Sequence, residues 1–538
     1  MGMNIGYLTA GRGPESDECM TPFYACEPLL KYIPKDWTVW CPCDEEWSAY
    51  YNIFKENGYN VIRSSLKEGK DFFEYEPSEH YDCIITNPPF SCYSSDTEIK
   101  TKDGWKKYTE LTSNDEVLSC NIKTQQLEWS KINMVIEKDV DEDLCHFKHR
   151  GIDILVTKDH RMYTRDCVKS NPTDVDVLAK DINKRHYLPG VGYKWAPSIF
   201  GKTSFVLPGC FVSNGRKDIW HEDIEISWDC WLPFFGLWLA DGCVIHTKNT
   251  KNKQRYTVLI KQNNENAEKI RNILSKLPFN YHEYIETEKT NFAIHNKQLW
   301  LYLNQFGYSK DKYIPRQIMD LPQDKLRLLL DAYLLGDSHT YYYRNLKKIT
   351  ISTISSKLAD NLQEIILKLG MLVNVKQKKG KYKGEPYFHY EIYYGEKDFT
   401  RIHYINYKKT KEYQHYKGKV FCLNIEKNSY FVLRRNGKIF ISGNCKDQIL
   451  KRLDELGKPF AILLPLNSLQ GQTRYEVFKK GIQLLAFDKR IGFHTNNNMQ
   501  TTAEGNHFAS AYFCRGILPR DLILEELVKY ERPLINKE

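Results

Sequence analysis

The rhythm of apolar and polar residues changes twice along the chain. Over residues 1–91, the short apolar runs TVWCPCD, YNVIRSS and YDCIITNPPF alternate with helical stretches, which predicts a βαβ arrangement with a parallel sheet. From Cys92 to about Gly190 the pattern predicts short strands and tight turns, with Asp103-Gly104 a hairpin signal. Two apolar helices follow near 228–241 and 324–337, set among basic polar stretches. The tract KQKKGKYKG near 376–384 reads as a solvated loop, and 417–444 returns to short strands with Asn436-Gly437 as a second hairpin turn. After Cys445 the first rhythm resumes. KDQILKRLDELG is a helix ending in Gly, PFAILLPLNS is a buried strand, and IQLLAFDKRIGF and HFASAYFCRGIL supply further strands. One α/β domain is therefore expected to be split by an insert with its own β part and its own helical part.

Length agrees, since 538 residues exceed what one core holds. The net charge of +9 permits nucleic-acid binding without demanding it. No apolar run approaches the ~20 residues of a membrane span, and the opening MGMNIGYLTAGRGPESDE has no secretory apolar core. The fifteen Cys are scattered, as reduced thiols in a cytoplasm would be, and no zinc-ligand spacing occurs among them.

The insert begins CYSSDTEIKTKDGW and ends NGKIFISGN, followed by Cys445. Cys92 can attack its upstream carbonyl to make a thioester, Cys445 can take over the acyl group, and Asn444 can cyclise to release the insert. ILVTKDHRMYT adds Thr157 and His160 as donors for the first tetrahedral intermediate. This ordered set resembles an intein, an all-β Hint splicing domain, with Hint parts at about 92–195 and 410–444. The resemblance implies excision of 92–444, ligation of Ser91 to Cys445, and no cofactor for splicing. Two positions depart from the family: Gly443 and Ser429 stand where histidines usually assist Asn cyclisation. Cys422, in VFCLNIEKNSYFV, is implied to modulate the central step, with core packing the plain alternative. A hedgehog-type autoprocessing domain shares the Cys and Thr-x-x-His chemistry. The Asn444-Cys445 junction and the resumed α/β pattern favour splicing.

Inside the insert, FFGLWLADG (234–242) and LLLDAYLLGDS (328–338) place Gly236 and Ala240, then Ala332 and Gly336, four residues apart, each pair followed by an acid, Asp241 or Asp337. Small residues on one face let two helices cross closely, and two acids at the same end call for a bridging cation. The pair resembles a LAGLIDADG homing endonuclease of the DOD type, an α+β unit at about 225–400. It implies Mg²⁺ at Asp241 and Asp337 and double-stranded DNA as partner. KDKYIP (310–315) resembles the block between the motifs, with Lys312 a basic partner.

The flanking pieces 1–91 and 445–538 join into 185 residues. Asn87-Pro88-Pro89-Phe90 at a strand end resembles the motif of S-adenosylmethionine-dependent adenine-N6 methyltransferases of phage type. It implies an amino group gripped by Asn87 and Pro88, a flipped base stacked on Phe90, and a nucleic-acid substrate. Thr21-Pro22 resembles the element before the cofactor strand, and Asp44 is implied to hold cofactor, although the loop TVWCPCDEEWSAY lacks glycine. The alternative is a nucleotidyltransferase or non-catalytic binding protein as host, with the endonuclease inactive. The expected architecture is thus multi-domain: an α/β methyltransferase-like host, residues 1–91 and 445–538, split by an all-β Hint domain that carries an α+β LAGLIDADG endonuclease.

Overall fold

A computed structural model describes residues 20–534, except 66–67, 71, 88–91, 113, 123, 150, 159, 167–172, 184, 189–193, 197–202, 214–217, 249–253, 344–345, 383–384, 397–410, 429, 444–445, 470–471, 495–500 and 503–508. The protein has several β-rich parts. Residues from both ends of the chain share one seven-stranded sheet, in the order Asn60–Ser64, Thr38–Pro42, Cys83–Thr86, Phe460–Pro465, Ser510–Arg515, Gln483–Phe487, Leu522–Glu525. Phe460 pairs in parallel with Ile84 across the whole intervening insert. The first four strands are parallel, but Ser510–Arg515 runs against both neighbours, so the sheet is mixed where the sequence predicts a parallel one. Its run SAYFC is buried like a parallel strand, and burial carries no direction. One face packs on Phe23, Ile53 and Phe54, the other on Leu450 and Leu453 of the helix Lys446–Leu456.

The middle of the chain does not keep to short strands. Gln126–Lys148 and Lys411–Ile425 form a long antiparallel ribbon. Its charged stretch looks solvated in sequence, yet the charges pair across the ribbon: Lys417 Nζ lies 2.6 Å from Asp141 and Lys419 Nζ 3.0 Å from Glu137. The tract near 376–384 is also mostly strand rather than loop. Val373–Tyr382 pairs with Glu385–Glu396, and Lys378 Nζ meets Glu391 at 2.5 Å.

The helical part is a repeat. The helix Trp228–Asp241 leads into the hairpin Gly242–Lys248 and Gln254–Asn263, and the helix Gln323–Tyr333 leads into Ser338–Tyr343 and Leu346–Thr353. The second repeat fuses with the β part formed by the two ends of the insert into one continuous sheet through Asn374 opposite Lys438. The docking point is the hairpin turn Asn436-Gly437, both residues left-handed at φ 49° and 73°. The Val375 N–H donates to Gly437 O at 3.0 Å, and a Cβ at position 437 would lie 1.9 Å from Val375 O. Beside it, the fully buried Glu364 meets Lys100 Nζ at 2.6 Å, Lys368 Nζ at 2.8 Å and the Arg316 guanidinium. Arg434 spans Glu98 at 2.7 Å and Asp360 at 2.5 Å. No described helix is long and apolar enough to cross a membrane.

Candidate functional site

The apolar helix Trp228–Asp241 starts at Ser227, whose hydroxyl accepts from the Asp229 N–H at 3.3 Å. Gly236 lies directly on the second helix, since a Cβ there would come 2.3 Å from Leu329 O. At Gly336 a Cβ would meet Asp241 Oδ2 at 2.0 Å and Ala240 Cβ at 2.6 Å. The small residues therefore set a crossing so close that the acids come together. Asp241 is the last residue of its helix. The second helix stops at Tyr333, short of the predicted 337, because the next turn tightens, with the Gly336 N–H donating to Tyr333 O at 3.1 Å.

Burial and the neighbouring Asp241 push the Asp337 carboxyl up to about 6, and burial also raises Asp241. Gln262 Nε2 donates to Asp241 Oδ2 at 2.6 Å. Lys312 is buried and donates to the carbonyls of Trp238, Leu239 and Gly242 at 2.9, 3.0 and 2.7 Å. Burial pulls its ammonium down to about 8 against the opposing effect of Asp337. It adds a donor to the carbonyls at the helix end, where Trp238 O also accepts from the Gly242 N–H, and holds positive charge beside the acids. Two half-buried carboxylates, of which Asp241 raises Asp337, fit a shared divalent cation, which would relieve the repulsion. Among the described residues no third His, Cys, Asp or Glu joins a metal-binding group, so carbonyl, water or phosphate oxygens would complete the shell.

At the insert's ends, Cys92 is buried and its N–H donates to Thr157 Oγ1 at 3.1 Å. The Thr157 N–H donates back to Cys92 O at 3.1 Å, and the His160 N–H to Thr157 O at 3.0 Å. Tyr93, the second insert residue, donates its hydroxyl to Gly443 O at 2.9 Å. His160 Nε2 lies 3.0 Å from Ser442 Oγ, and its ring stands edge-on to Tyr93 at 4.5 Å. Cys422 shares a buried apolar cluster with Cys92, Val140, Leu144, Leu155 and Val420. The first residues of the insert thus touch its last ones. Ser91, Ser429, Asn444 and Cys445 lie outside the described residues.

In the split sheet, the chain turns outward from Thr38–Pro42 to Asn60–Ser64 and then crosses back to Cys83–Thr86. The carboxyl ends of the first and third of these strands therefore flank a point where the strand order reverses, the place where open α/β sheets bind ligands. Asp44 follows the first of these strands and Asn87 the third. Asn87 Nδ2 donates to Thr21 Oγ1 at 3.1 Å, and Pro22 leads the short helix Phe23–Cys26. Burial pushes the Asp44 carboxyl up to about 7, opposed by a hydrogen bond from Ser48. Cys43 takes a left-handed φ of 66°, the conformation a glycine usually supplies, in a loop that has none. Pro88, Pro89 and Phe90 lie outside the described residues.

Sequence reasoning missed Gln262, Tyr93 and Ser442. Gln262 had a faint signal: Ile260 pairs with Gly242 and Ile351 with Ser338, so Gln262 and Thr353 occupy matching places in the two repeats.

Residues 324–405 match the family described as a LAGLIDADG-like domain. The chain is similar to an ATP-dependent Clp protease proteolytic subunit of Chlamydomonas moewusii, 29% identical over 52% of this chain and 28% of that protein. It is also similar to a DNA-directed RNA polymerase subunit beta C-terminal section of Stigeoclonium helveticum, at 25% over 67% and 37%. A third relative is the ribonucleoside-diphosphate reductase subunit beta of Aquifex aeolicus, at 21% over 67% and 51%. The chain thus spans between about a quarter and a half of these relatives' length. Among solved structures, the homing endonuclease I-DmoI is 14% identical with a TM-score of 0.25, covering 31% of this chain and 83% of that one.

Proposed function

We propose that the chain is a self-splicing precursor whose insert, 92–444, also cuts DNA. The observation that carries the splicing reading is the Tyr93 to Gly443 hydrogen bond, which places the insert's two ends side by side next to Thr157 and His160. The three relatives support it indirectly. A protease subunit, a polymerase section and a reductase share no activity, so what they have in common with this chain is better understood as a segment carried by each than as the activity in their names. In the proposed sequence Cys92 Sγ attacks the carbonyl of residue 91, and Thr157 and His160 stabilise the developing charge. Cys445 then takes the acyl group, Asn444 cyclises and releases the insert, and an S-to-N shift leaves a normal peptide between Ser91 and Cys445. Intact-mass analysis tests this. The expressed chain should give a 353-residue insert and a 185-residue ligated product, while Cys92→Ala with Asn444→Ala should leave 538 residues whole. A full-length wild type rejects splicing, and a double mutant that still ligates rejects these residues.

The acid pair supports metal-dependent hydrolysis of double-stranded DNA. Asp241 and Asp337 would hold Mg²⁺, which when bound activates water and neutralises charge on the phosphate. Gln262 orients Asp241, and Lys312 holds positive charge beside the acids.

For the host, Asn87 and Asp44 at the strand-order reversal favour S-adenosylmethionine-dependent transfer to an amino group of a nucleic acid. Calorimetry on the directly expressed 185-residue chain should show S-adenosylmethionine binding that Asp44→Ala weakens about tenfold or more, the loss of roughly one charge-assisted hydrogen bond. Binding of a nucleoside triphosphate instead would favour the nucleotidyltransferase reading.

A further inference from the structure

Resting on the splicing reading, we propose that Ser442 and Tyr93 are positioning residues for cleavage at the second junction, and that His160 serves both junctions. Asn cyclisation needs a proton taken from the carboxamide nitrogen and one delivered to the amine that leaves. The ring C–N bond forms as the 444–445 peptide bond breaks, and the proton count is unchanged. Gly443 and Ser429 offer no imidazole for this. The structure brings one from elsewhere. The strand Lys438–Gly443 sets Ser442 inward, fully buried, with Oγ 3.0 Å from His160 Nε2 and 3.9 Å from Met162 Sδ. One residue on, the Tyr93 hydroxyl fixes the Gly443 carbonyl at 2.9 Å.

The same histidine borders the first junction through its backbone. Its backbone N–H donates to Thr157 O, and the Thr157 hydroxyl accepts from the Cys92 N–H. Ser442 therefore stands between a histidine already committed to the Cys92 centre and the end of the strand that carries the cyclising residue. A buried serine serving only to satisfy its own hydroxyl would be expected to affect folding at both junctions alike. A positioning serine affects one step.

The experiment uses the full chain in two backgrounds. In Cys92→Ala, where only the second junction can break, release of residues 445–538 is followed by mass. Ser442→Ala should slow it about ten- to a hundredfold, within the range general acid–base assistance supplies. Ser442→Thr, which keeps the hydroxyl, should recover most of the rate, and Tyr93→Phe should slow it as well. In Asn444→Ala, where the thioester formed through Cys92 cannot be resolved by Asn cyclisation, cleavage by added thiol should be unchanged by Ser442→Ala and lost in His160→Ala. The proposal is overturned if Ser442→Ala leaves release at the parent rate, slows both junctions equally, or is not rescued by threonine. If the parent chains break at neither junction and the wild type stays whole, the splicing reading itself fails, and this proposal with it.

Discussion

Replacing Asp241 and Asp337 together by asparagine is expected to lower Mg²⁺-dependent cleavage of duplex DNA by at least ~10³-fold. A metal ion contributes several kcal/mol to the transition state, and each 1.36 kcal/mol is about tenfold. The substrate for the assay is the uninterrupted host gene around the codons for Ser91 and Cys445, with chelator as the control. Asparagine keeps the shape against Gly336, where Asp241 Oδ2 already stands 2.0 Å from where a Cβ would be, so the helix crossing should survive. Retained cleavage would reject these acids as ligands. Acidity gives a second handle. Asp337 is pushed up to about 6 by burial and by Asp241, above the ordinary 3.8. Protonation therefore stabilises the metal-free fold, a gain complete below the ordinary value and lost as pH rises through about 6. Without metal the thermal midpoint should fall between about pH 4 and pH 6, and Mg²⁺ should offset that fall. Cleavage at fixed Mg²⁺ should decline below about pH 6, as protons displace the ion.

The sequence was most legible where chemistry depends on fixed spacing. Thr157 and His160, three apart in the sequence, share one turn beside Cys92, where the Thr157 hydroxyl accepts from the Cys92 N–H and the His160 N–H donates to Thr157 O. Gly236 and Gly336 were legible because only a missing Cβ allows the approach to Leu329 O and Asp241. The turn Asn436-Gly437 was legible because its left-handed pair excludes most residues. Partners supplied from a distance were not. Ser442 and Tyr93 are ordinary residues whose roles come from hydrogen bonds spanning 282 and 350 positions. The tract near 376–384 looked solvated because lysines are usually exposed. Its place in a strand depends on Glu391 and on a partner strand that local propensity does not encode. Cys43 is left-handed in a loop without glycine, a conformation that its residue type does not announce.

Replacing Glu364 by glutamine is expected to loosen the junction between the helical repeat and the β part at the insert's ends by about 3–5 kcal/mol, the usual cost of breaking a buried ion pair from one side. The reason is arithmetic of charge. Glu364 and Lys368 are fully buried and Lys100 nearly so, and Arg316 is the third cation on the same carboxylate. Removing the one anion leaves three cations with only Asp320, 3.1 Å from Lys368 and 2.9 Å from Arg316, to answer them. Those cations hold the carboxyl of Glu364 far below its ordinary range, so its contribution is present above the ordinary carboxylate value and lost only in strong acid. The effect should reach the splice centre. Helix Ser356–Lys368 carries Gln363, which donates to Gly437 O at 3.1 Å, and Gly437 turns into the strand that ends at Ser442 and Gly443. Global unfolding of so composite a chain is not two-state, so hydrogen exchange on the blocked Cys92→Ala/Asn444→Ala precursor is the measurement. Amides of 356–368 and 438–443 should exchange at least about a hundredfold faster in Glu364→Gln, the equivalent of some 3 kcal/mol, while those of Phe460–Pro465 in the split sheet stay at the parent rate. Unchanged exchange in the strand Lys438–Gly443 would mean that the helical repeat merely rests on the β part at the insert's ends instead of bracing it.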